Sequence, residues 1–326
     1  MRDIVKIFEK LKESPPEKVE LIKTEKLPGV KNHKIGCSNT GQPIFLISCT
    51  IKGNSKPIDT NLESLKVQYG CRCQVLDKQG NIKEKIYTLI SLKPHSEHLH
   101  FCFLKSVILI IKNISANPTL GELKHEIDNL IVLFSRFSKP PKKTIQGLWA
   151  ELLIIETAIN PAYLIKSWHN VNSARFDFND GVNKIEVKST TKERRIHTFS
   201  LEQLNQNGFA ELIISSVFVA ETGLGINVLD LIEKIESRLE DKSLIVRIYE
   251  IVAETLGHDF QKSFDIFFDY RSAVNSIQHY FRDDIPVIDF NSIPKNILNV
   301  KFDCDLTNIN TATKVPGKSN LHDALF

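Results

Sequence analysis

Residues 175–190 read RFDFNDGVNKIEVKST, and this stretch decides the fold class of the chain. The pair Asp180-Gly181 lies between two apolar-rich runs. Because both residue types tolerate positive φ, such a pair is a strong signal for a tight β-hairpin. With a two-residue loop, Asp177 on the first strand faces Lys184 on the second. The stretch therefore predicts a hairpin whose strands alternate between a charged face and an apolar face.

The charged face of this hairpin carries the chemistry. Glu186 and Lys188 follow Lys184 at alternate positions, so they share the face of Asp177. Glu186 is then the diagonal neighbour of Asp177, roughly 7–8 Å away by backbone. Two carboxylates at that separation can share a divalent cation, and with a lysine beside them they favour a Mg²⁺-dependent phosphodiesterase. The alternative is a solvated strand face with paired charges.

The spacing of these residues resembles a known superfamily. Asp177, eight intervening residues and then Glu186-Val187-Lys188 resemble the PD-(D/E)XK nucleases, although Phe176 replaces the proline of the motif. Residues 147–151 and 197–204 extend the resemblance to the bacterial PD-(D/E)XK motif proteins, which are typically encoded in restriction and phage-defence gene clusters. The resemblance implies an α/β (α+β) fold, a restriction-endonuclease-like core with a mixed central sheet flanked by helices.

Glu151 lies on a predicted helix over residues 144–158. At helical spacing it falls in the apolar sector, where a carboxylate is costly unless it is paired, protonated or bound to a metal. A salt-bridged or edge-exposed Glu is the alternative reading. The resemblance implies that a glutamate on the helix before the hairpin completes the metal site, and we carry that role onto Glu151.

The resemblance also implies a role for each residue of the site. Asp177, Glu186, Glu151 and the backbone carbonyl of Val187 would hold Mg²⁺, with Mn²⁺ as a substitute. The ion would polarise the scissile phosphate and lower the pKa of a bound water. Lys188 would position that water and offset charge on the phosphorus; its action as a base would require a depressed pKa.

A basic segment, residues 188–197, follows the hairpin. Phosphate backbones attract such segments, so we expect it to contact DNA. A solvated strand end is the alternative. Gln203, on a predicted short helix at about residues 200–205, is expected to face the same site. The predicted nucleic-acid contacts are Lys192, Arg194, Arg195, His197 and Gln203.

Composition bounds the remaining classes. A hydrophobic fraction of 42% and a charged fraction of 25% are those of a globular protein, and the net charge of +3 permits only a local basic patch. The six cysteines include no C-x-x-C pair, which favours free thiols in a reducing cytoplasm. The N-terminus lacks an apolar signal core, and the longest apolar run, residues 107–111, is too short for a membrane span.

The chain divides into three predicted parts. Residues 1–140 form a strand-rich domain that would bind DNA or a partner. Residues 141–262 form the nuclease core, after a boundary at Ser138–Lys143. Residues 263–326 form a C-terminal extension with a partly disordered, polar tail.

The sequence therefore predicts a cytoplasmic Mg²⁺-dependent DNA endonuclease of bacterial restriction or phage defence. It would act as a homodimer or with other defence subunits. A non-catalytic DNA- or protein-binding subunit that retains the fold is the alternative, and an RNA- or junction-directed nuclease is a third reading. A zinc site built from Cys71, Cys73, His98 and His100 on neighbouring strands is a weaker rival, because zinc ligands are more often spaced further apart.

Overall fold

The structure is a computed structural model that describes residues 2–50, 57–77, 79–94, 99–169, 175–205, 211–313 and 320–326. These residues form two compact units, Met1–Pro140 and Pro141–Phe326. The helices are α1 (Arg2–Lys12), α2 (His100–Asn113), α3 (Leu120–Arg136), α4 (Ile145–Thr157), α5 (Pro161–Ser167), α6 (Leu201–Leu204), α7 (Val228–Ser237), α8 (Lys242–Leu256), α9 (Tyr270–Ser276) and α10 (Asn320–Leu325). Short 3₁₀ helices cover Gly257–Phe264, Arg282–Asp284 and Phe290–Ser292.

Strands fill much of the remainder. In the first unit they are β1 (Leu21–Lys26), β2 (Lys34–Cys37), β3 (Pro43–Ile47), β4 (Thr60–Asn61), β5 (Leu65–Leu76) and β6 (Ile82–Leu92). In the second unit they are β7 (Phe178–Asn179), β8 (Lys184–Thr190), β9 (Ile196–Ser200), β10 (Leu212–Phe218), β11 (Glu221–Thr222), β12 (Phe267–Phe268), β13 (Gln278–Phe281) and β14 (Lys301–Asp305). The mixed α and β content confirms the predicted fold class.

The first unit is built around a small barrel. Its strands follow the order β1-β2-β3-β6-β5-β4, and β1 also pairs in parallel with β5, which closes five of these strands into a ring. Ile22, Leu46, Cys73, Val75 and Tyr87 are buried together on one face of the ring. Alternating apolar residues on five strands therefore fill a single interior.

The second unit contains the mixed central sheet that the sequence predicted, in the order β13-β10-β8-β7. β8 and β10 run parallel, whereas β7 and β13 run antiparallel to their neighbours. β10 (LIISSVF) is buried along nearly its whole length, as expected for a central strand between covered faces. Helix α4 packs against β8 and α7, which places its residues beside the hairpin.

The C-terminal residues join this unit. β13 pairs with β10 and β14 pairs with β9, although both strands lie beyond residue 262. Within the tail that was predicted to be polar and partly disordered, α10 is packed, because Leu321, Ala324 and Leu325 are buried. Residues 314–319 of the predicted disordered tail lie outside the described residues.

One predicted strand is a helix. The rival zinc site placed His98 and His100 on a strand, whereas α2 begins at His100. Residues on almost every side of α2 are buried, and periodicity cannot separate a fully buried strand from a fully buried helix. His100 Nε2 lies 2.9 Å from Gln42 Oε1. The rival zinc site required His98 and His100 on one face of a strand, and His100 is instead helical. His98 lies outside the described residues.

Candidate metal and catalytic site

The predicted carboxylates converge from three elements. Glu151 lies in the middle of α4, Asp177 directly precedes β7, and Glu186 and Lys188 lie on β8. The register pairs Phe178 with Ile185, which sets Asp177 opposite Glu186 across the hairpin. The shared face that period-2 alternation predicts is therefore present.

The hairpin loop itself differs from the prediction. It contains the four residues Asp180–Asn183 rather than two, because Asn179 pairs with Lys184. The Asp180 carboxylate accepts hydrogen bonds from the backbone of Val182 at 2.9 Å and Asn183 at 2.7 Å, and Gly181 supplies a positive φ of 93°. The two extra loop residues shift the pairing of the strands by two positions. Because side chains alternate between the two faces of a strand, Asp177 and Glu186 still share one face.

A lysine that the sequence analysis did not select joins two of the carboxylates. Lys143 Nζ lies 2.6 Å from Glu151 Oε1 and also donates to Asp177 Oδ1. Thr144 caps α4 by accepting from the Gly147 backbone N–H, so Lys143 is held at the start of the helix that carries Glu151. Its ammonium group therefore serves as the counter-ion of both acids.

The second oxygen of Glu151 has two further partners. Trp168 Nε1 donates to Glu151 Oε2 at 2.7 Å, and His169 Nε2 lies 2.9 Å from the same atom. His169 has a φ of +44°, a region that non-glycine residues rarely adopt, and its backbone N–H donates to the Asp177 carbonyl at 2.9 Å. The chain thus turns sharply at His169 while its ring stays beside Glu151.

Glu186 has one satisfied oxygen and one without a partner. Its Oε1 accepts from Gln203 Nε2 at 2.9 Å and pairs with Lys188 Nζ at 2.8 Å. Gln203 is oriented by the capping box of α6, in which its own oxygen accepts from the Ser200 N–H. Among the described residues, Oε2 of Glu186 is buried and contacts no donor. An unsatisfied buried carboxylate oxygen requires an explanation, and a role as the ligand of a cation is one.

The three carboxylates of the site are enclosed. Asp177 and Glu186 are only 5% and 6% exposed, and Glu151 is 2% exposed. Burial raises the pKa of Asp177, and the negative charges of Glu151 and Glu186 raise it further. Burial also opposes ionisation of Glu151, but Lys143 and His169 outweigh it and lower the pKa of Glu151. Glu151 therefore ionises more readily than Asp177.

The donor set fits a divalent cation. Ligand atoms of Glu151, His169 and Asp177 all lie within 4.8 Å of one another. Carboxylate oxygens suit Mg²⁺, and an imidazole nitrogen also suits Mn²⁺. Val187, the predicted carbonyl ligand, donates its backbone N–H to Asp177 Oδ2 at 2.7 Å, so it also helps to orient that carboxylate.

The predicted nucleic-acid contacts separate into three groups. Lys192 and Arg194 are exposed, and Arg194 pairs with Asp305. Gln203 faces the carboxylates, as expected. Arg195 and His197, however, are each only 4% exposed.

Both buried residues make contacts inside the protein. Arg195 donates to the Ser216 carbonyl at 2.9 Å and stacks on Phe218, and His197 Nε2 lies 2.7 Å from Ser216 Oγ. Burial lowers the pKa of His197 to about 4, and Lys188 and Arg195 reinforce this shift. Both side chains therefore point inward in this structure, and their burial does not support the expected contact with phosphate.

Sequence reasoning missed Lys143, Trp168 and His169. Lys143 was assigned to the domain boundary at Ser138–Lys143, and Trp168 and His169 follow a short helix with no motif of their own. Each reaches the site through the tertiary fold, since Glu151 is 8 residues from Lys143 and 18 from His169. The available signal was the apolar setting of Glu151, which required some cationic or donor partner.

A helix-borne glutamate, a hairpin aspartate and a Glu-x-Lys strand in a mixed sheet define the site class of the PD-(D/E)XK superfamily. The chain belongs to the family described as "Putative PD-(D/E)XK family member (DUF4420)", whose profile matches residues 4–307. Membership of this family indicates a nuclease-like fold.

No curated protein and no solved structure matches the chain. In the described part of the chain, no helix combines the length and apolar character needed to cross a membrane.

Proposed function

We propose that this protein is a Mg²⁺-dependent endonuclease that hydrolyses DNA phosphodiester bonds in bacterial restriction or phage defence. The observation that carries the proposal is the convergence of Glu151, Asp177 and Glu186 with Lys188, in which the buried Oε2 of Glu186 has no donor among the described residues. Three acids enclosed together are costly unless a cation joins them.

Each residue has a definable task. Glu151, Asp177 and Glu186 would hold the ion, and His169 is placed to add a nitrogen ligand. The bound ion would polarise the scissile phosphate and lower the pKa of a water. Lys188 Nζ, 2.8 Å from Glu186 and 5.1 Å from the centroid of the Phe199 ring, would position the attacking water and offset phosphate charge. Gln203 would keep Glu186 in place through its 2.9 Å hydrogen bond.

Lys143 supports a second candidate function. Its ammonium group already neutralises Glu151 and Asp177, so a protein that never binds metal could retain this cluster as a permanent ion pair. The chain would then be a non-catalytic DNA- or protein-binding subunit of a defence complex. In the catalytic proposal, the bound cation displaces the Lys143 ammonium group from Glu151 and Asp177, or Lys143 moves toward the substrate phosphate.

A nicking assay separates these functions. Supercoiled plasmid would be incubated with the full-length protein in Mg²⁺, Mn²⁺ or EDTA, with Glu186→Gln as the matched variant. Metal-dependent nicking by the wild type alone supports the endonuclease. Full retention of the supercoiled form in both metals contradicts it and favours the non-catalytic subunit. A labelled RNA duplex in parallel tests the substrate class.

The cellular setting is a further part of the proposal. A cytoplasmic location follows from the defence role and the free thiols of all six cysteines. Double-strand cleavage would require two such sites, so the proposed active form is a homodimer or a complex with other defence subunits. Sedimentation of the protein with and without DNA measures this directly.

A further inference from the structure

The barrel of the first unit carries lysines on an unexpected face. Lys26 of β1 lies directly opposite Lys34 of β2. Lys83 and Lys85 of β6 lie opposite Val75 and Cys73 of β5. Residues directly opposite in an antiparallel pair share a face, so each lysine can be assigned from its partner.

All four assignments lead to the same face. Val75 and Cys73 belong to the buried interior of the barrel, and so does Leu46, which lies opposite Lys34. Lys26 shares the face of Ile22, another interior residue, by period-2 alternation along β1. The lysines therefore continue the interior face to one end of the barrel, where Lys26, Lys83 and Lys85 are exposed and Lys34 is half-buried. We call this set the lysine rim.

The lysine rim is electrostatically unfavourable in the isolated chain. Burial lowers the pKa of Lys34, and the positive charges of Lys85, Lys83 and Lys26 lower it further, against the attraction of Asp77. Asp77 is committed to the β5–β6 turn, where it accepts from the backbone of Gln79 and Asn81. Like charges placed directly opposite each other, as Lys26 and Lys34 are, destabilise a sheet. An anion that occupies the lysine rim would relieve this repulsion.

The acidic residues of the same strands lie on the other face. Glu84 alternates with Lys83 and Lys85 and pairs with Arg72 at 3.2 Å, and Glu25 alternates with Lys26. The acidic side chains of these strands are thus kept off the face of the lysine rim, and the other face carries both signs of charge, including Lys23 and Arg72. Among the described residues of Met1–Pro140, no Phe, Tyr or Trp side chain is exposed, so this unit offers no platform for stacking bases.

We infer that the lysine rim, Lys26, Lys34, Lys83 and Lys85, binds the phosphate backbone of duplex DNA without regard to sequence. The identity of the polyanion rests on the proposed function, since a nuclease-family protein has DNA as its natural anionic partner. The rim would act as a phosphate-anchoring surface of the first unit that requires neither metal nor the carboxylate cluster.

The experiment measures binding without cleavage. Full-length protein in EDTA would be titrated by fluorescence anisotropy against two labelled 30-base-pair duplexes of unrelated sequence, at several salt concentrations. The variant replaces all four rim lysines with Gln. Each lost phosphate contact removes about 0.9 from the slope of log affinity against log salt, so we expect the slope to decrease by up to about 3.6 for both duplexes.

A matched control removes the same charge elsewhere in the unit. Lys10, Lys112, Lys124 and Lys139 are exposed, and none of them contributes to the Lys34 shift. Their replacement with Gln should leave the slope close to that of the wild type. An equal decrease in both variants would overturn the proposal, because only net charge would then matter. An unchanged slope in the rim variant would also overturn it and assign the rim to another partner, such as an acidic protein.

Two further comparisons distinguish a failure of the rim proposal from misfolding of the variant and from a failure of the proposed nuclease function. Lys83→Gln with Lys85→Gln changes only exposed residues of β6 and should decrease the slope by about 1.8, so it replaces the fourfold variant if that one fails to fold. Wild-type binding with a steep salt slope but no nicking in any metal would remove the nuclease proposal and leave the rim proposal intact. Nicking with no effect of the rim variant on binding would do the reverse.

Discussion

Lys143 Nζ lies 2.6 Å from Glu151 Oε1, and its ammonium group also bonds Asp177, so a protein cation stands between two of the proposed metal ligands. Burial opposes a charged lysine, but Glu151 and Asp177 outweigh it and raise the pKa of Lys143. A divalent ion must therefore compete with Lys143 for the same oxygens.

Lys143→Met should tighten Mn²⁺ binding. A hydrogen bond between charged groups contributes about 1.5–3 kcal/mol, so removing the competitor should improve affinity by roughly 10–100-fold in calorimetric titration. The metal-free variant should melt at a lower temperature, since two carboxylates lose their counter-ion, and Mn²⁺ should restore its Tm. Lys142→Met is the control, because Lys142 pairs with Glu254 instead. Equal Mn²⁺ affinity in both variants would contradict this role.

Asp177→Asn should abolish metal-dependent cleavage while stabilising the metal-free protein. The folded state raises the pKa of Asp177 above its unfolded value of about 4, so ionisation costs stability above that pH. The gain in Tm from Asp177→Asn should therefore be small near pH 4 and grow toward pH 7.5. Thermal melts in EDTA across this range measure it. A gain that shrinks with rising pH would show that Asp177 is stabilised, not strained, as a carboxylate.

Lys188→Ala should reduce cleavage with little change in DNA affinity. A positioned proton-transfer or charge-stabilising group contributes about 10²–10⁴-fold, whereas one lysine is a small part of the phosphate contacts. Single-turnover rates and anisotropy titrations give the two quantities. Lys184→Ala is the matched control on the same strand, since Lys184 Nζ lies over the Phe176 ring. A variant that cleaves at the wild-type rate would remove Lys188 from the mechanism.

Neutralising Lys192 and Arg194 with Gln should weaken DNA binding broadly and lower its salt slope by about 1.8, as expected for two exposed phosphate contacts. Arg195→Gln should instead destabilise the fold, because its guanidinium is hydrogen-bonded to Ser216 inside the protein. Binding at several salt concentrations and Tm values separate the two effects. An unchanged slope in the Lys192 and Arg194 variant would show that this segment is only solvated.

His169→Asn should shift metal preference from Mn²⁺ toward Mg²⁺ if the imidazole is a ligand. Mg²⁺ prefers oxygen, whereas Mn²⁺ also accepts imidazole nitrogen. Pulsed electron paramagnetic resonance of bound Mn²⁺ should show a nitrogen coupling in the wild type that the variant lacks. His258, exposed in the same unit, is the control position. Mn²⁺ bound without nitrogen coupling in the wild type would restrict His169 to its contact with Glu151.

Local patterns predicted much of the second unit. Asp180-Gly181 marked the turn, and period-2 alternation placed Asp177, Glu186 and Lys188 on one face even though the loop has four residues. The apolar periodicity over residues 144–158 predicted the helix α4, with Glu151 in its apolar sector. These features could be read from the chain because hairpin parity and helix phase depend on residues near one another in sequence.

Only the tertiary structure decided what surrounds those residues. Lys143, the adjacent pair Trp168 and His169, and Gln203 reach the carboxylates from three different segments, and local patterns indicated this only for Gln203. The same packing buried Arg195 and His197, which their basic neighbours had predicted to be exposed. The sequence by itself determined which side chains could do the chemistry. The fold decided their partners, burial and charge, because these depend on how distant segments pack around one small volume.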